Sequence, residues 1–342
     1  MKSEKIVNIW LWVGVAMVFV QVLLGGIIRL TGSGLSITKW DILTGTIPPL
    51  HQLEWEEEFN LYKETPQYQK INTGMTLKEF KFIYFWEYVH RLWARSIGFV
   101  FLLPFFFFVY RNWLNKELYR KLGIAVLLGG VVAAFGWIMV ASGLVERPWV
   151  NAYKLTVHLN LALLLYAWLF WIAMGERVMR NTNKGLKNVL NILTIIIIVQ
   201  LLLGGLMSGM KACLYYPTWP DMYGEFFPKV LIDNGLWTKE SIIEYEKGVV
   251  PGIVQFLHRI CAYLLFGVSI VLLWKSTREQ IPTPARAGIR SFAFLIVVQM
   301  GIGILTLINC VGKIPLFYGV AHQAIAIIVL SNLIYLHRII RK

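Results

Sequence analysis

Two apolar stretches, IWLWVGVAMVFVQVLLGGIIR at 9–29 and NVLNILTIIIIVQLLLGGLMSG at 188–209, decide the fold class of this chain. Each is long enough to cross a membrane as a helix, which takes about 20 mostly apolar residues. Both contain the pattern Gln-x-Leu-Leu-Gly-Gly, which begins at Gln21 and at Gln200. The sequence therefore predicts membrane-spanning helices and indicates an internal duplication.

The composition of the 342-residue chain agrees with a membrane protein. Hydrophobic residues make up 57% and charged residues only 15%, whereas soluble globular chains have about 25% charged residues. This excludes a disordered chain and argues against a soluble enzyme. Eight apolar stretches are predicted to span the membrane, at 9–29, 82–110, 122–144, 153–175, 188–209, 252–274, 291–310 and 316–337. We predict an all-α polytopic membrane protein.

The net charge of +14 follows the expected topology. With the N-terminus inside, the inner segments hold 17 basic and 4 acidic residues, and the rest of the chain holds 16 and 15. Lys and Arg prefer the cytoplasmic side, so both termini are predicted to be cytoplasmic and no nucleic-acid partner is expected. The short N-terminal tail lacks a cleavage site, which favours a retained first helix and a bacterial cytoplasmic membrane.

Two long loops, at about 31–81 and 210–251, fall on the predicted outer side. The stretch LEWEEEFNLYKETPQY at 53–68 predicts a short surface helix in the first of them. The chain has three cysteines, which are Cys213, Cys261 and Cys310. Because they form no C-x-x-C motif, neither a disulfide framework nor a zinc site is predicted.

An internal repeat relates the two halves of the chain. Four landmarks recur in the same order: Gln21 with Gln200, Trp40-Asp41 more loosely with Trp219-Pro220-Asp221, His90-Arg91 with His258-Arg259, and His158 with His322. Four spans return the chain to its starting side, so the two repeats have the same orientation. We therefore predict two pseudo-symmetric four-helix bundles, over residues 1–181 and 182–342.

Four histidines lie in the outer thirds of the even-numbered spans. They give one pair, His90 and His158, to the first bundle and a second pair, His258 and His322, to the other. A single membrane histidine often bonds only a neighbouring helix, but a pair repeated in both bundles favours metal ligation. Zinc sites take three or four protein ligands, whereas two facing imidazoles suit the axial positions of a haem iron. We predict one haem in each bundle.

Charged residues near these histidines suggest further roles. Haem propionates need cationic partners, and four arginines near the outer face are candidates that could also be ordinary interface residues: Arg29, Arg91, Arg95 and Arg259. Glu87 precedes His90 by three residues and shares its helix face, although an interfacial Glu is also tolerated there. The second bundle has Gln255 at this position. We therefore predict chemistry in the first bundle, with Glu87 transferring a proton or stabilising charge, and a permanent electron-transferring haem in the second.

Several stretches resemble the haem A synthase family, in its version with a long first loop. They are GGIIRLTGSGLSITKW at 25–40, EFNLYKETPQY at 58–68, MTLKEFKFIYFWEYVHRLWARSIG at 75–98 and FGWIMVASGL at 135–144. The surroundings of His158 and His322 extend the resemblance through nearly the whole chain.

The resemblance implies an oxidoreductase of haem A biosynthesis. Such an enzyme oxidises a methyl group of haem O to a formyl group, by successive hydroxylation and loss of water, and supplies haem A to cytochrome c oxidase. His90 and His158 would then hold haem O, His258 and His322 would hold haem b, and Glu87 would be the catalytic carboxylate. Haem O synthase and an electron donor are the expected partners, besides membrane lipid.

Two other functions fit parts of the sequence. A di-haem electron carrier, such as a quinone-linked cytochrome b, would also need four histidines, but it needs no acid such as Glu87 beside one haem. A transporter or assembly scaffold without a cofactor is compatible with the parallel repeat alone. The haem content of the protein discriminates between these functions.

Overall fold

The computed structural model describes residues 2–38, 47–141, 148–175, 181–245 and 248–341. Within these residues, eight helices are long and apolar enough to cross a membrane. They are α1 (Lys2–Thr31), α4 (Leu77–Tyr110), α5 (Lys116–Ala141), α6 (Ala152–Ala173), α7 (Lys184–Gly209), α9 (Val249–Arg278), α10 (Thr283–Ile308) and α11 (Leu316–Ile339). Each overlaps one predicted span, which confirms the prediction of an all-α integral membrane protein with eight spans.

The shorter elements lie between the long helices. They are the helices α2 (Gln52–Lys63), α3 (Pro66–Lys70) and α8 (Lys239–Ile243), three 3-10 helices at Ala212–Leu214, Lys229–Ile232 and Asn234–Leu236, and two paired two-residue strands, β1 (Asn181–Thr182) and β2 (Ile340–Arg341). The short helix predicted in the first long loop is therefore present as α2 and α3. Its position relative to a membrane surface stays a prediction.

The chain separates into two compact units, Met1–Ala173 and Met174–Lys342. In the first unit α1 packs against α4 and α6, and α5 packs against α6. In the second unit α7 packs against α9 and α11, and α10 packs against α11 and α9. Three of these helix pairs therefore have a counterpart in the other unit, whereas the contact of α10 with α9 has none among the main helix pairs of the first unit. The pseudo-symmetry axis and the division of function between the units stay predictions.

The second unit is packed most densely at one end of its long helices. The side chains buried there include Leu190 and Leu193 of α7, Leu272 of α9, Phe292 of α10 and Leu336 of α11. Because lipid tails are as apolar as these side chains, close packing rather than the hydrophobic effect holds such helices together.

The opposite end of the same helices carries His258 and His322, which are only partly buried. We call this the histidine end of the second unit. The main apolar core of the four helices therefore lies at one end, and the histidine pair lies towards the other.

The first long loop is fixed against the beginning of α4. The helix starts with a capping box, in which the Thr76 N–H donates to Glu79 Oε2 at 2.8 Å and the Glu79 N–H donates to Thr76 Oγ1 at 3.4 Å. Phe59 and Tyr62 of α2 pack on Phe80, with ring centroids 5.0 and 5.1 Å away. This contact holds the loop beside the part of α4 that carries the candidate acid.

Candidate functional site

The two histidines of the second unit face each other. The ring centroids of His258 on α9 and His322 on α11 lie 6.5 Å apart, with an interplanar angle of 63°. Metal–imidazole bonds are about 2 Å long, so two rings on opposite sides of one ion have centroids roughly 6 Å apart. Both buried Nδ1 atoms lack a hydrogen-bond partner within the described residues. The spacing of the two rings therefore leaves room for one metal ion between them.

No cluster of three or more His, Cys, Asp or Glu side chains suited to a metal ion occurs in the part of the chain that the structure describes. Structural and catalytic zinc sites take at least three such ligands. A haem iron takes four equatorial nitrogens from its own ring and needs only axial ligands from the protein. The donor set therefore suits a haem better than a bare metal ion.

Two glutamines contact the histidines of the second unit. Gln200 Nε2 lies 3.2 Å from His258 Nε2, and Gln299 Nε2 lies 3.2 Å from His322 Nε2. The amide oxygens of both glutamines are buried without a hydrogen-bond partner. These amides can therefore fix the orientation of the two imidazole rings.

The first unit brings together the other histidine pair. His90 on α4 and His158 on α6 are near enough to interact electrostatically, and both are partly buried. The buried Nδ1 of His158 and the amide oxygen of Gln21 have no hydrogen-bond partner within the described ranges. At the position that corresponds to Gln299, four residues before a glycine, the first unit has Val132. The side chains around the histidine pair of the first unit are therefore less polar than those around the pair of the second unit.

Each of the four histidines lies against a glycine of a neighbouring helix. The pairs are Gly25 with His90, Gly136 with His158, Gly204 with His258, and Gly303 with His322. Small residues let membrane helices approach closely, and here they make room for an imidazole ring. Gly25 and Gly204 belong to the Gly-Gly pairs that mark the repeat, but the repeat alone did not predict that glycines contact the histidines.

The four glycines do not leave equal room. A Cβ atom on Gly136 would lie 2.9 Å from His158 Cε1, and one on Gly303 would lie 2.8 Å from His322 Cε1. At the other two glycines the nearest histidine atom would be 3.6 and 3.7 Å away, an ordinary van der Waals distance. The glycines opposite the second histidine of each pair are therefore the ones that no larger residue can replace without movement.

Glu87 binds the loop that follows α1. Its Oε2 accepts hydrogen bonds from the Ser36 N–H at 2.7 Å, the Ser36 hydroxyl at 2.6 Å and the Ile37 N–H at 3.0 Å. Its Oε1 pairs with Arg91 at 2.5 Å, and the same guanidinium donates to the Ile37 carbonyl oxygen at 3.3 Å. Only 3% of the Glu87 surface is exposed. The carboxylate therefore ties the loop to α4 one turn before His90.

The second unit holds its corresponding loop with a neutral amide. Gln255 Nε2 donates to the Tyr216 carbonyl oxygen at 2.8 Å. Arg259 donates to the carbonyl oxygens of Tyr216 at 3.0 Å, Thr218 at 2.8 Å and Asp221 at 2.8 Å. In each unit, the residue three positions before the histidine and the arginine directly after it thus bind the loop that follows the first helix of that unit.

The four arginines predicted to bind propionates differ in their surroundings. Arg91 and Arg259 use their guanidinium groups on the loops. Arg29 and Arg95 are partly buried and also have interactions of their own. Nothing in the local sequence indicates that Arg91 and Arg259 bind loop carbonyls, because these loops follow other helices.

The sequence of this chain is similar to a known family over nearly its whole length. The family model COX15-CtaA, described as cytochrome oxidase assembly protein, matches residues 8–334. The haem A synthase of Flavobacterium psychrophilum is 39% identical over 347 residues, which cover 99% of each chain. The haem A synthase of Nitrosospira multiformis is 38% identical over 99% of this chain and 94% of its own length. That of Agrobacterium fabrum is 42% identical over 96% and 89%.

Proposed function

We propose that this chain, which belongs to the COX15-CtaA family of cytochrome oxidase assembly proteins, is an oxidoreductase that converts haem O to haem A. The observation that carries this proposal is its similarity to haem A synthases across 99% of the chain. The reaction oxidises one methyl group of the haem O ring to a formyl group, by successive hydroxylation and loss of water. The haem A produced would serve cytochrome c oxidase.

The two histidine pairs are proposed to divide the haems between the units. His258 and His322 would be the axial ligands of haem b, which the 6.5 Å spacing of their rings supports. His90 and His158 would hold haem O as the substrate and release haem A as the product. When bound, haem b would supply one-electron transfer.

Glu87 is proposed to act on the substrate in the first unit. It shares a helix face with His90, because residues three apart on a helix are neighbours. Its Oε2 accepts three hydrogen bonds from the loop and its Oε1 pairs with Arg91, so the carboxylate is held in one position from which it would exchange a proton or stabilise positive charge. Ser36 and Ile37 would be positioning residues, because they orient the carboxylate.

The arginines are proposed to have two roles. Arg29 and Arg95 would bind haem propionates. Arg91 and Arg259, for which this role was also predicted, would mainly hold the outer loops over the haem sites, as their hydrogen bonds to loop carbonyls support.

The proposed orientation places both termini in the cytoplasm and the histidine layers near the outer face of a bacterial cytoplasmic membrane. The excess of Lys and Arg in the connections predicted to be inside supports it. Haem O synthase and an electron donor are the proposed partners.

Chromatography of haems extracted from cells tests the proposed function. The chain is expressed together with a haem O synthase, and cells with the haem O synthase alone are the control. We expect haem A or its hydroxylated intermediate only when the chain is present. Haem b and unchanged haem O alone, from a folded red protein supplied with its electron donor, would instead support a di-haem electron carrier.

A further inference from the structure

Two cysteines of the second unit meet at its histidine end. Cys213 lies in the 3-10 helix Ala212–Leu214, directly after α7, and Cys310 lies in the connection between α10 and α11. Their Sγ atoms are 2.7 Å apart, although the residues are 97 positions apart in sequence. Both are buried, with 8% and 1% of their surfaces exposed, and Leu307 packs beside them.

The distance between the two sulfurs is shorter than ordinary packing gives. Non-bonded heavy atoms in protein interiors are separated by about 3.5–4 Å, and a disulfide bond is about 2.05 Å long. Sulfur atoms at 2.7 Å therefore need only a small side-chain movement to form a bond. The third cysteine, Cys261, is on α9, where its thiol donates to the Ile196 carbonyl oxygen at 3.5 Å.

We propose that Cys213 and Cys310 form a disulfide bond that fastens the histidine end of the second unit. The sequence predicted no disulfide, because the two cysteines have no local spacing motif. Both connections join long helices at the same end of the unit, and the proposed topology places that end outside. Disulfides form and persist on the outer side of a bacterial cytoplasmic membrane, where the environment is oxidising.

Formation of the bond requires an oxidant that itself carries a disulfide. Loss of two protons and two electrons converts the two thiols into one disulfide, and the oxidant's disulfide becomes two thiols. The Cys310 thiolate attacks the oxidant and forms a mixed disulfide, and the Cys213 thiolate then displaces the oxidant's thiol. The close contact with the Cys213 thiol lowers the pKa of the Cys310 thiol, which favours Cys310 for the first attack.

The disulfide would join the two helix pairs that carry the proposed haem b ligands. The helix with His258, α9, packs on α7, and the helix with His322, α11, packs on α10. A covalent link between the end of α7 and the connection after α10 would resist separation of the two rings. This consequence for haem b rests on the proposed function, whereas the bond itself does not.

Peptide mass spectrometry of the full chain tests the bond directly. The protein is alkylated in denaturant before any reduction, and Cys261 is the internal control. We expect an unalkylated, linked pair of peptides that contain Cys213 and Cys310, which reduction separates, and an alkylated Cys261. Alkylation of all three cysteines would overturn the proposal, whatever haem the protein contains.

Thermal release of haem b tests the consequence. We expect Cys213→Ser and Cys310→Ser each to lower the midpoint temperature of haem b release by roughly 5 °C or more. A disulfide that closes a loop of about 100 residues strongly restricts the unfolded chain, so its loss should cost much stability. The double variant should equal either single variant, and strong reductant should lower the midpoint of the unchanged protein and of the Cys261→Ser control to the same level. If the losses of the two single variants add in the double variant, or if reductant lowers the midpoint of all variants equally, the disulfide does not stabilise the bound haem b.

Discussion

The two units hold their corresponding long loops with opposite hydrogen-bonding groups. In the first, the Glu87 carboxylate accepts hydrogen bonds from loop N–H groups. In the second, the Gln255 amide donates to a loop carbonyl. Arg91 and Arg259 occupy the same place in both, so the only change of charge at this position is the carboxylate itself. A duplicated scaffold has thus kept its loop fastening and placed a negative charge in one unit alone.

The side chains around the two histidine pairs also differ between the units. The second unit has two glutamine amides on its histidine rings, from Gln200 and Gln299. The first unit has Gln21 at one of these positions and Val132 at the other. Hydrogen bonds to ligands strengthen metal binding. We infer that the second unit suits a haem that stays bound, and that the first suits one that is exchanged after reaction.

The largest expected effect is the loss of one haem from one unit. His258→Ala removes a proposed axial ligand of haem b, so we expect the visible spectrum of haem b to disappear from the purified protein. His90→Ala is the matched variant in the first unit and should keep that spectrum while product formation stops. Equal loss of haem b in both variants would show that the units are not independent, and an unchanged spectrum in His258→Ala would reject the assignment.

Exchanging the carboxylate and the amide should affect catalysis next most strongly. Glu87→Gln keeps the shape of the side chain but removes its charge, so we expect haem A formation to fall at least about 100-fold, as for loss of a general acid–base group. Haem b should remain at its normal content, which serves as the test of folding. Haem extraction after growth with haem O synthase measures both quantities.

Gln255→Glu is the control for this exchange. It alters the loop contact with Tyr216 in the second unit, and we expect haem A formation within a few-fold of normal. A loss as large as that of Glu87→Gln would mean that loop fastening, rather than the charge beside His90, sets the activity. Normal haem A yield from Glu87→Gln would remove Glu87 from the mechanism.

The glycines give a prediction of intermediate size. Gly303→Ala places a Cβ 2.8 Å from His322 Cε1, whereas Gly204→Ala places one 3.7 Å from His258 Cε1. We expect the first variant to lose most of its haem b at equal protein yield, because the ring must move, and the second to keep nearly all of it. The haem-to-protein absorbance ratio measures this difference, and similar ratios for the two variants would contradict it.

The sequence was sufficient to predict the eight spans, because each is a long apolar run whose character does not depend on its neighbours. The histidine layers could also be predicted, since His258 and His322 are rare ionisable residues in such runs. Contacts between distant segments could not be predicted in this way. Nothing local in the sequence shows that Ser36 binds Glu87 or that Cys213 meets Cys310, because these pairs are 51 and 97 residues apart.

The sequence contains one further pattern that points to the site. The spacing Gln-x-x-x-Gly begins at Gln21, Gln200 and Gln299. It places an amide side chain and a glycine, which has no side chain, on the same helix face. A glutamine and a glycine that both face a histidine indicate space for the imidazole ring and a hydrogen-bond partner for one of its nitrogens. The spacing therefore predicts which face of each helix lines the site, although only the structure shows that the rings lie there.

The smallest effect is expected from the loop that holds Glu87. Ser36→Ala removes the hydroxyl that donates to Glu87 Oε2 at 2.6 Å but keeps the backbone N–H bond at 2.7 Å. Loss of one hydrogen bond to a charged group corresponds to about a ten- to hundredfold lower rate, if the whole bond energy is lost in the transition state. Since the N–H bonds remain, we expect a loss below about tenfold in haem A formation.

Ser33→Ala is the matched control for Ser36→Ala, because the Ser33 hydroxyl bonds Thr31 at 2.6 Å and does not contact Glu87. It should leave haem A formation nearly unchanged. If Glu87 is a positioned catalytic group, Ser36→Ala should lower the rate in the unchanged protein but have no further effect in the Glu87→Gln background. An equal fractional loss in both backgrounds would show that Ser36 acts through the loop itself, and the negative charge of the first unit would then have a role independent of its orientation.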